Sequence, residues 1–449
     1  MKKNKIFAVL TTSALLLAAC SNGDNSSDSG QKGDSQKNEQ TSSNSQSDKL
    51  KKNNEKNDNS NKVDYPKDGV KGIYVTSNST QGEKLDELIK FIKDSKLNTM
   101  VIDVKDDEGN ITMKLNTGNK NVDKNTLDIV DGKKLLKKLH DNNIYPIARI
   151  VTFKDTKLAK EHPEWSFKNS DGSVWTNGKG DSFINPFMKE VWDYDITVAK
   201  AAAKAGFQDI QFDYVRFPEG FENEADSLTY NKGDYKNSKL SSGDQRVDTI
   251  TKFLEHANKE LKPMGVNVSA DVFGYSALVK NAPGIGQSFP KISKNVDAIS
   301  SMIYPSHWSN GDFGLQAPDT EPYKTVNRYI QKENNLLDTL GKDKPISRPW
   351  IQDFTASYLG SGNYIDYDAK QVSEQVQALK DNGVNEFLLW NAGNEYTEGA
   401  NYNPKKGNAK EQDPEGVEQE SKDNNKDSNS KDSQNKDNKD KQSNQDNQQ

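Results

Sequence analysis

Along the middle of the chain, apolar and polar positions repeat in a fixed order. A short run with a period of two is followed by a longer stretch with a period near 3.6. The strand-like runs are 71–76, 99–104, 145–153, 209–217, 265–273, 298–304, 346–354 and 386–391. Helix-like stretches lie between them at 83–95, 132–142, 186–205, 245–261, 322–340 and 368–382. Leu85, Leu88, Ile89 and Ile92 carry the i, i+3, i+4, i+7 spacing of a one-sided helix. Pro186 after Asn185 predicts a first helical position behind an N-cap. Gly206 and Gly383 predict helix stops. The crossover 274–296 is irregular and predicts only a short helix around 286–294. Eight such runs alternating with helices in one continuous unit predict an α/β fold, a (β/α)8 TIM barrel with insertions. The competing open doubly wound sheet would carry a Gly-rich phosphate loop after its first strand. Thr76-Ser77-Asn78-Ser79-Thr80 stands there instead.

Period-two parity then assigns each side chain to the helices or to the barrel axis. In the fourth run, Ile210, Phe212 and Tyr214 share the helix-facing side, which turns Gln211, Asp213 and Val215 inward. In the fifth, Val266, Val268, Ala270 and Val272 face the helices, and Asn267, Ser269 and Asp271 face the axis. The second run places Asp103 and Lys105 inside, the third opposes Arg149 to Ala148 and Ile150, and the seventh groups Arg348, Trp350 and Gln352. The eighth ends at Trp390-Asn391. Polar side chains from several strands therefore converge on one rim, where barrel enzymes build their sites. A buried lattice of Asp103, Arg149 and Asp213 is the structural alternative, and the two can coexist.

Composition changes the picture at the ends. The chain has 449 residues, a net charge of −6 and only 32% hydrophobic residues. The deficit is local: 21–62 and roughly 404–449 are almost entirely Asn, Asp, Ser, Lys, Gln, Glu and Gly. Neither stretch buries enough apolar surface to offset the entropy of ordering it, which predicts disordered tails around a domain at 64–403. Mixed-sign charge gives no basic surface, so no nucleic-acid partner is expected. The single cysteine excludes a disulfide scaffold and a zinc–thiolate site. At the start, Lys2-Lys3-Asn4-Lys5 and the apolar stretch 6–19 read as a signal peptide too short to span a bilayer. It closes with Leu17-Ala18-Ala19-Cys20, which resembles the bacterial lipoprotein box. The alternative is an ordinary signal peptide with a chance cysteine. The resemblance implies cleavage of 1–19, lipidation of Cys20 and a membrane partner at the outer face of the bacterial cytoplasmic membrane, held by two or three acyl chains. Residues 20–63 then form a hydrophilic linker with a flexible-chain reach of roughly 35 Å.

The chemistry of the rim narrows by elimination. His140, His162, His256 and His307 are scattered, no Cys is available and no G-x-S-x-G elbow occurs. No metal or other cofactor is expected. The acidic turn Asp106-Asp107-Glu108 reads as solvated rather than cation-binding. A pair of carboxylates on neighbouring strands, flanked by aromatic residues, is the equipment of glycoside hydrolysis. Neighbouring strands lie about 4.7–4.9 Å apart. That suits the ~5–5.5 Å carboxyl gap of a retaining enzyme. Asp213 is the expected nucleophile, kept ionised by Arg216 or Arg149. Asp271 is the expected acid/base, its pKa raised by burial beside a second carboxylate. Asp103, Arg149, Arg216, Tyr304, His307, Trp308, Trp350, Gln352, Trp390 and Asn391 are the expected sugar-binding set, with Tyr74 a further apolar face.

These residues carry a family resemblance. Lys71-Gly72-Ile73-Tyr74-Val75-Thr76, Val101-Ile102-Asp103-Val104-Lys105-Asp106 and above all Gln211-Phe212-Asp213-Tyr214-Val215-Arg216-Phe217-Pro218 resemble the "putative glycoside hydrolase" domain of bacterial secreted proteins and lipoproteins. Ser269-Ala270-Asp271-Val272-Phe273-Gly274 and Met302-Ile303-Tyr304-Pro305-Ser306-His307-Trp308 match it as well. The resemblance covers about 65–400 and implies a (β/α)8 fold distantly similar to alpha-amylase and alpha-galactosidase barrels. Those also carry a nucleophilic Asp at the end of strand four, which supports Asp213. Amylase-like barrels place a Glu after strand five, where this chain has Asp271, so Glu219 and Glu222 stay open as alternative acids. The expected function is a membrane-tethered, monomeric retaining glycosidase acting on a cell-wall or extracellular polysaccharide. The other reading is a non-catalytic glycan-binding or wall-organising lipoprotein.

Overall fold

Runs of Val, Ile, Ala and Leu bounded by turn residues form strands buried on both faces, as a parallel sheet covered by helices requires. The computed structural model describes residues 62–413. Its strands are β1 Lys71–Val75, β2 Thr99–Lys105, β3 Ile111–Met113, β4 Thr126–Val130, β5 Tyr145–Val151, β6 Asp209–Asp213, β7 Asn267–Phe273, β8 Ala298–Met302, β9 Ile346–Ser347, β10 Trp350–Gln352 and β11 Phe387–Trp390. The barrel runs β1, β2, β5, β6, β7, β8, then β9 with β10, then β11, and closes where β11 pairs with β1. This is the expected eight-stave closed barrel. β3 and β4 form a flap beside β2 that the hydrophobic period does not announce, because both are short and β4 is half exposed.

Helices between the staves include α1 Gly82–Asp94, α2 Gly132–Asp141, α3 Lys189–Ala205, α4 Ser242–Leu261, the short α5 Phe289–Ser293, α6 Pro322–Asp338 and α7 Ala369–Asp381. Three of these helices start on side-chain caps: Asp131 on the Lys134 N–H, Ser241 on the Asp244 N–H, and a reciprocal Asp368–Gln371 box on α7. Gly206 ends α3 at φ +120°, where a side chain would be strained. Pro186 does not open α3. The Asn185 side chain instead accepts from the Phe187 N–H in a local turn, and the helix begins three residues later at Lys189.

Three backbone irregularities decide which residues reach the site. The fourth run stops at Asp213, because Tyr214 adopts φ +47° and breaks the alternation, so Val215 does not continue the axial face. The seventh run divides at Arg348-Pro349 into β9 and β10. The ladder between β2 and β5 shifts after Asp103, pairing Lys105 with Ile150. That bulge corrects the expected inward direction of Lys105. Its ammonium lies between Asp155 at 2.9 Å and Asp195 of α3 at 2.8 Å, in the helix layer.

Inside the barrel, the floor is an ion network. The Arg348 guanidinium donates to Asp209 at 2.8 Å and Glu386 at 2.9 Å, and the Tyr65 hydroxyl donates to Glu386 at 2.6 Å. Val63 exchanges two backbone hydrogen bonds with the Gln208 side chain, so residues 63–65 cork the amino-terminal end of the staves. Buried charge of this kind persists only when each group has a partner. Beyond the expected boundary at 403, the described chain continues to Asp413, which pairs with Arg328 of α6 at 2.9 Å. The signal peptide, Cys20, nearly all of the linker and the remainder of the tail lie outside the described residues.

Candidate active site

The carboxyl ends of the staves hold the second ion network. The ladder pairing Asp209 with Asn267 and Gln211 with Ser269 carries Asp213 level with Asp271 on the neighbouring strand. Arg149, from β5, grips Oδ2 of Asp213 with Nε at 2.9 Å and Nη2 at 2.7 Å, a two-pronged bond. Its Nη1 donates to Asp103 at 2.7 Å and to Asp107 at 3.1 Å. The positive φ of Tyr214 folds its N–H back onto Oδ1 of Asp213 at 2.6 Å. Asp213 is thus oriented from two sides.

Asp271 has a different environment. Its Oδ1 accepts from the Trp350 indole N–H at 2.8 Å, and it is 2% exposed against 6% for Asp213. Burial, and next the charge of Asp213, push its pKa well above the usual carboxylate range. Asp103 is raised to about 6, again by burial, against the pull of Arg149. Burial also works on Asp107, but Arg149 and Lys154 outweigh it and hold that carboxyl below its ordinary value. Two neighbouring carboxyls with contrasting surroundings, one paired with a guanidinium and one desolvated, suit base and acid roles in one reaction.

Aromatic rings pack around this network. Tyr74 stacks on Trp390 at 4.3 Å and donates its hydroxyl to Asp103 at 2.6 Å. Trp350 meets Trp390 edge to face at 5.6 Å, and Tyr304 lies 6.4 Å from Trp390. His307 is exposed, 4.9 Å from the Tyr304 ring. Asp103, Arg149, Asp213, Asp271, Tyr304, His307, Trp350 and Trp390 therefore come together.

Four expected contributors go elsewhere. Arg216 does not hold Asp213: its guanidinium sits between the rings of Tyr214 and Phe273 and donates to Glu219 at 3.0 Å. Trp308 packs against Phe313 and Tyr329, in contact with the core between sheet and helices. Gln352 is fully buried and holds the Ser306 N–H, Asp319 and the Phe354 carbonyl. Asn391 spends its amide on the Asp353 carbonyl and the Gly393 N–H. These three shape loops. Asp107 and Lys154, missing from the expected set, join the network. Asp107 follows directly on the β2 motif, and that adjacency was the available signal. Among the described residues, no group of three His, Cys, Asp or Glu side chains is placed to hold a metal ion.

Solved structures similar to the chain include a hypothetical protein from Ruminiclostridium thermocellum, 31% identical, covering 45% of this chain and 97% of its own, with a TM-score of 0.39. The glycoside hydrolase domain of PgaB (BpsB) from Bordetella bronchiseptica is 14% identical over 72% of this chain and 95% of its own, TM-score 0.48. A beta-galactosidase from Halorubrum lacusprofundi is 11% identical over 75% of this chain and 55% of its own, TM-score 0.49. No curated protein matches. A family model described as "Putative glycosyl hydrolase domain" matches residues 72–396, every barrel stave but the first residue of β1, and the chain belongs to that family.

Proposed function

We propose that the protein is a retaining glycosidase with Asp213 as nucleophile and Asp271 as general acid/base. The observation that carries this reading is the level placement of the two carboxyls on adjacent staves in opposite electrostatic settings. Arg149 occupies Oδ2 of Asp213 and leaves Oδ1, oriented by the Tyr214 N–H, as the attacking oxygen. Asp271 enters protonated, with Trp350 on Oδ1 directing the proton to Oδ2 and the leaving oxygen. After the glycosyl–Asp213 intermediate forms, the Asp271 carboxylate takes a proton from the incoming water. Trp390, half-buried and backed by Tyr74, offers a ring to a sugar.

The substrate class in this reading is a cell-wall or extracellular polysaccharide, and the chain is monomeric and anchored through lipidated Cys20. Residues 63–65 lie at the corked floor, so the linker of this reading joins the domain at the end opposite the mouth. Glu219 and Glu222 do not serve as the acid: Glu219 is drawn to Arg216, and Glu222 lies in a separate cavity. A second reading, a non-catalytic glycan-binding barrel, draws support from the closed lattice of Arg149 with Asp103, Asp107 and Asp213. The two separate when wild type and Asp213→Asn are assayed on a polysaccharide panel, with proton NMR following the product anomer. The glycosidase reading expects turnover by wild type, retention of configuration and loss of turnover in the variant. Equal turnover in both proteins contradicts the nucleophile assignment.

A further inference from the structure

A cavity of about 490 Å³ opens beside the loops that follow β6 and β7, outside the Asp213–Asp271 site. Its lining includes Glu222, Arg246, Tyr275, Val279, Asn281 and Gly284. Arg246 is the unusual member. It is 5% exposed, donates Nε to the Pro283 carbonyl at 2.7 Å, and makes no ion pair with the described residues. Its remaining guanidinium donors are not sealed from solvent, so water or a ligand in the cavity can meet them. Glu222 brings the opposite charge, and Gly284 makes room for it: a Cβ there would lie 2.5 Å from Oε2. Tyr275 and Val279 are 40% and 42% exposed and give the cavity an apolar wall. The loop carrying Gly284 is braced by paired backbone bonds between Ala282 and Gln287 and by the Phe217 N–H on the Ile285 carbonyl. The lining is therefore built rather than loose.

We infer that this cavity is a distal glycan subsite for an uncharged sugar unit. The ring's apolar face rests on Tyr275, and adjacent hydroxyls are shared between the Arg246 fork and the Glu222 carboxylate. A guanidinium and a carboxylate together balance a neutral polyol; a uronate meets Glu222 with like charge, and an ammonium sugar meets Arg246 in the same way. Arg216 connects the two sites. It stacks on Tyr214, the residue after Asp213, and pairs with Glu219, which also lines the cavity. A glycan spanning both sites would cross that post. The inference deepens the glycosidase reading but stands on binding alone.

The test uses the Asp213→Asn protein, so that no ligand is consumed, with isothermal titration of maltohexaose, cellohexaose, N-acetylated chitohexaose and their disaccharides, and hexagalacturonate as the charged control. One neutral hexasaccharide is expected to bind, and Tyr275→Ala and Glu222→Gln are each expected to weaken it about tenfold while its disaccharide is unaffected. Absence of neutral hexasaccharide binding, a change below twofold in both variants, or tighter binding of hexagalacturonate would overturn the inference. Tyr275-dependent binding in a protein whose wild type hydrolyses nothing would remove the glycosidase reading and leave this subsite standing.

Discussion

Asp213 and Asp271 are the same side chain in two surroundings. The guanidinium fork grips one, while burial, and next the charge of its neighbour, favours a proton on the other. Trp350 modulates the second: its indole N–H stabilises the Asp271 carboxylate, so removing it raises an already raised pKa. As general acid, Asp271 sets the alkaline limb of activity, which is lost as pH rises through its pKa. Trp350→Phe is therefore expected to move that limb upward by about 1–2 pH units, the worth of one hydrogen bond to a charged group. A pH–kcat/KM profile that stays in place or moves down contradicts the assignment. Asp271→Asn is expected to lower kcat by about 10²–10⁴-fold on substrates with poor leaving groups, measured by steady-state kinetics; wild-type kcat would exclude it. Arg149→Met strands three acidic side chains and is expected to cost about 3–5 kcal/mol by urea denaturation. A loss below about 1 kcal/mol would mean the lattice is not a structural requirement.

Elements decide which residues meet. The period-two pattern of β6 and β7 was legible because Gln211, Asp213, Asn267, Ser269 and Asp271 are polar, which leaves Ile210, Phe212, Val268 and Ala270 to face the helices. Asp213 and Asp271 were inward by parity alone. Lys105 was not readable in this way, since a bulge changes its face without a marker in the residue pattern. Nor was Tyr214, whose left-handed turn both ends β6 and frees an N–H for Asp213. Trp308, Gln352 and Asn391 end in loops whose direction is set by distant contacts such as Asp319 and Tyr329, beyond any local period. The bulge also creates a measurable element-level coupling. Asp195 of α3 is wholly buried beside Lys105, and desolvation, against the pull of Lys105, raises its pKa to about 7. From about pH 4 to pH 7 the folded carboxyl keeps a proton that the unfolded chain has lost, so its contribution to stability falls as pH rises through that window. Asp195→Asn is expected to flatten the decline of Tm between pH 5 and pH 7.5. An unchanged slope would show that Asp195 titrates normally in the folded chain.

At the scale of the molecule, the barrel has a corked floor and a chemically equipped mouth. Arg348, Asp209, Glu386 and Tyr65 close one end, and Arg149, Asp103, Asp213 and Asp271 occupy the other. Between the two polar layers an apolar cluster that includes Val101, Tyr145, Ile147, Trp350 and Leu388 fills the axis, and the larger apolar core lies between staves and helices. That division lets the mouth carry two carboxyls without weakening the packing beneath them. The central claim is that Asp213 forms a covalent bond to the anomeric carbon while Asp271 serves as its acid/base partner. Treating the protein with a panel of 2-deoxy-2-fluoroglycosyl fluorides and mapping the adduct by peptide mass spectrometry tests it directly. The account predicts one labelled peptide, modified at Asp213 and absent from Asp213→Asn. A label on any other carboxylate, or hydrolysis of the panel with no protein adduct and inverted product, would contradict it.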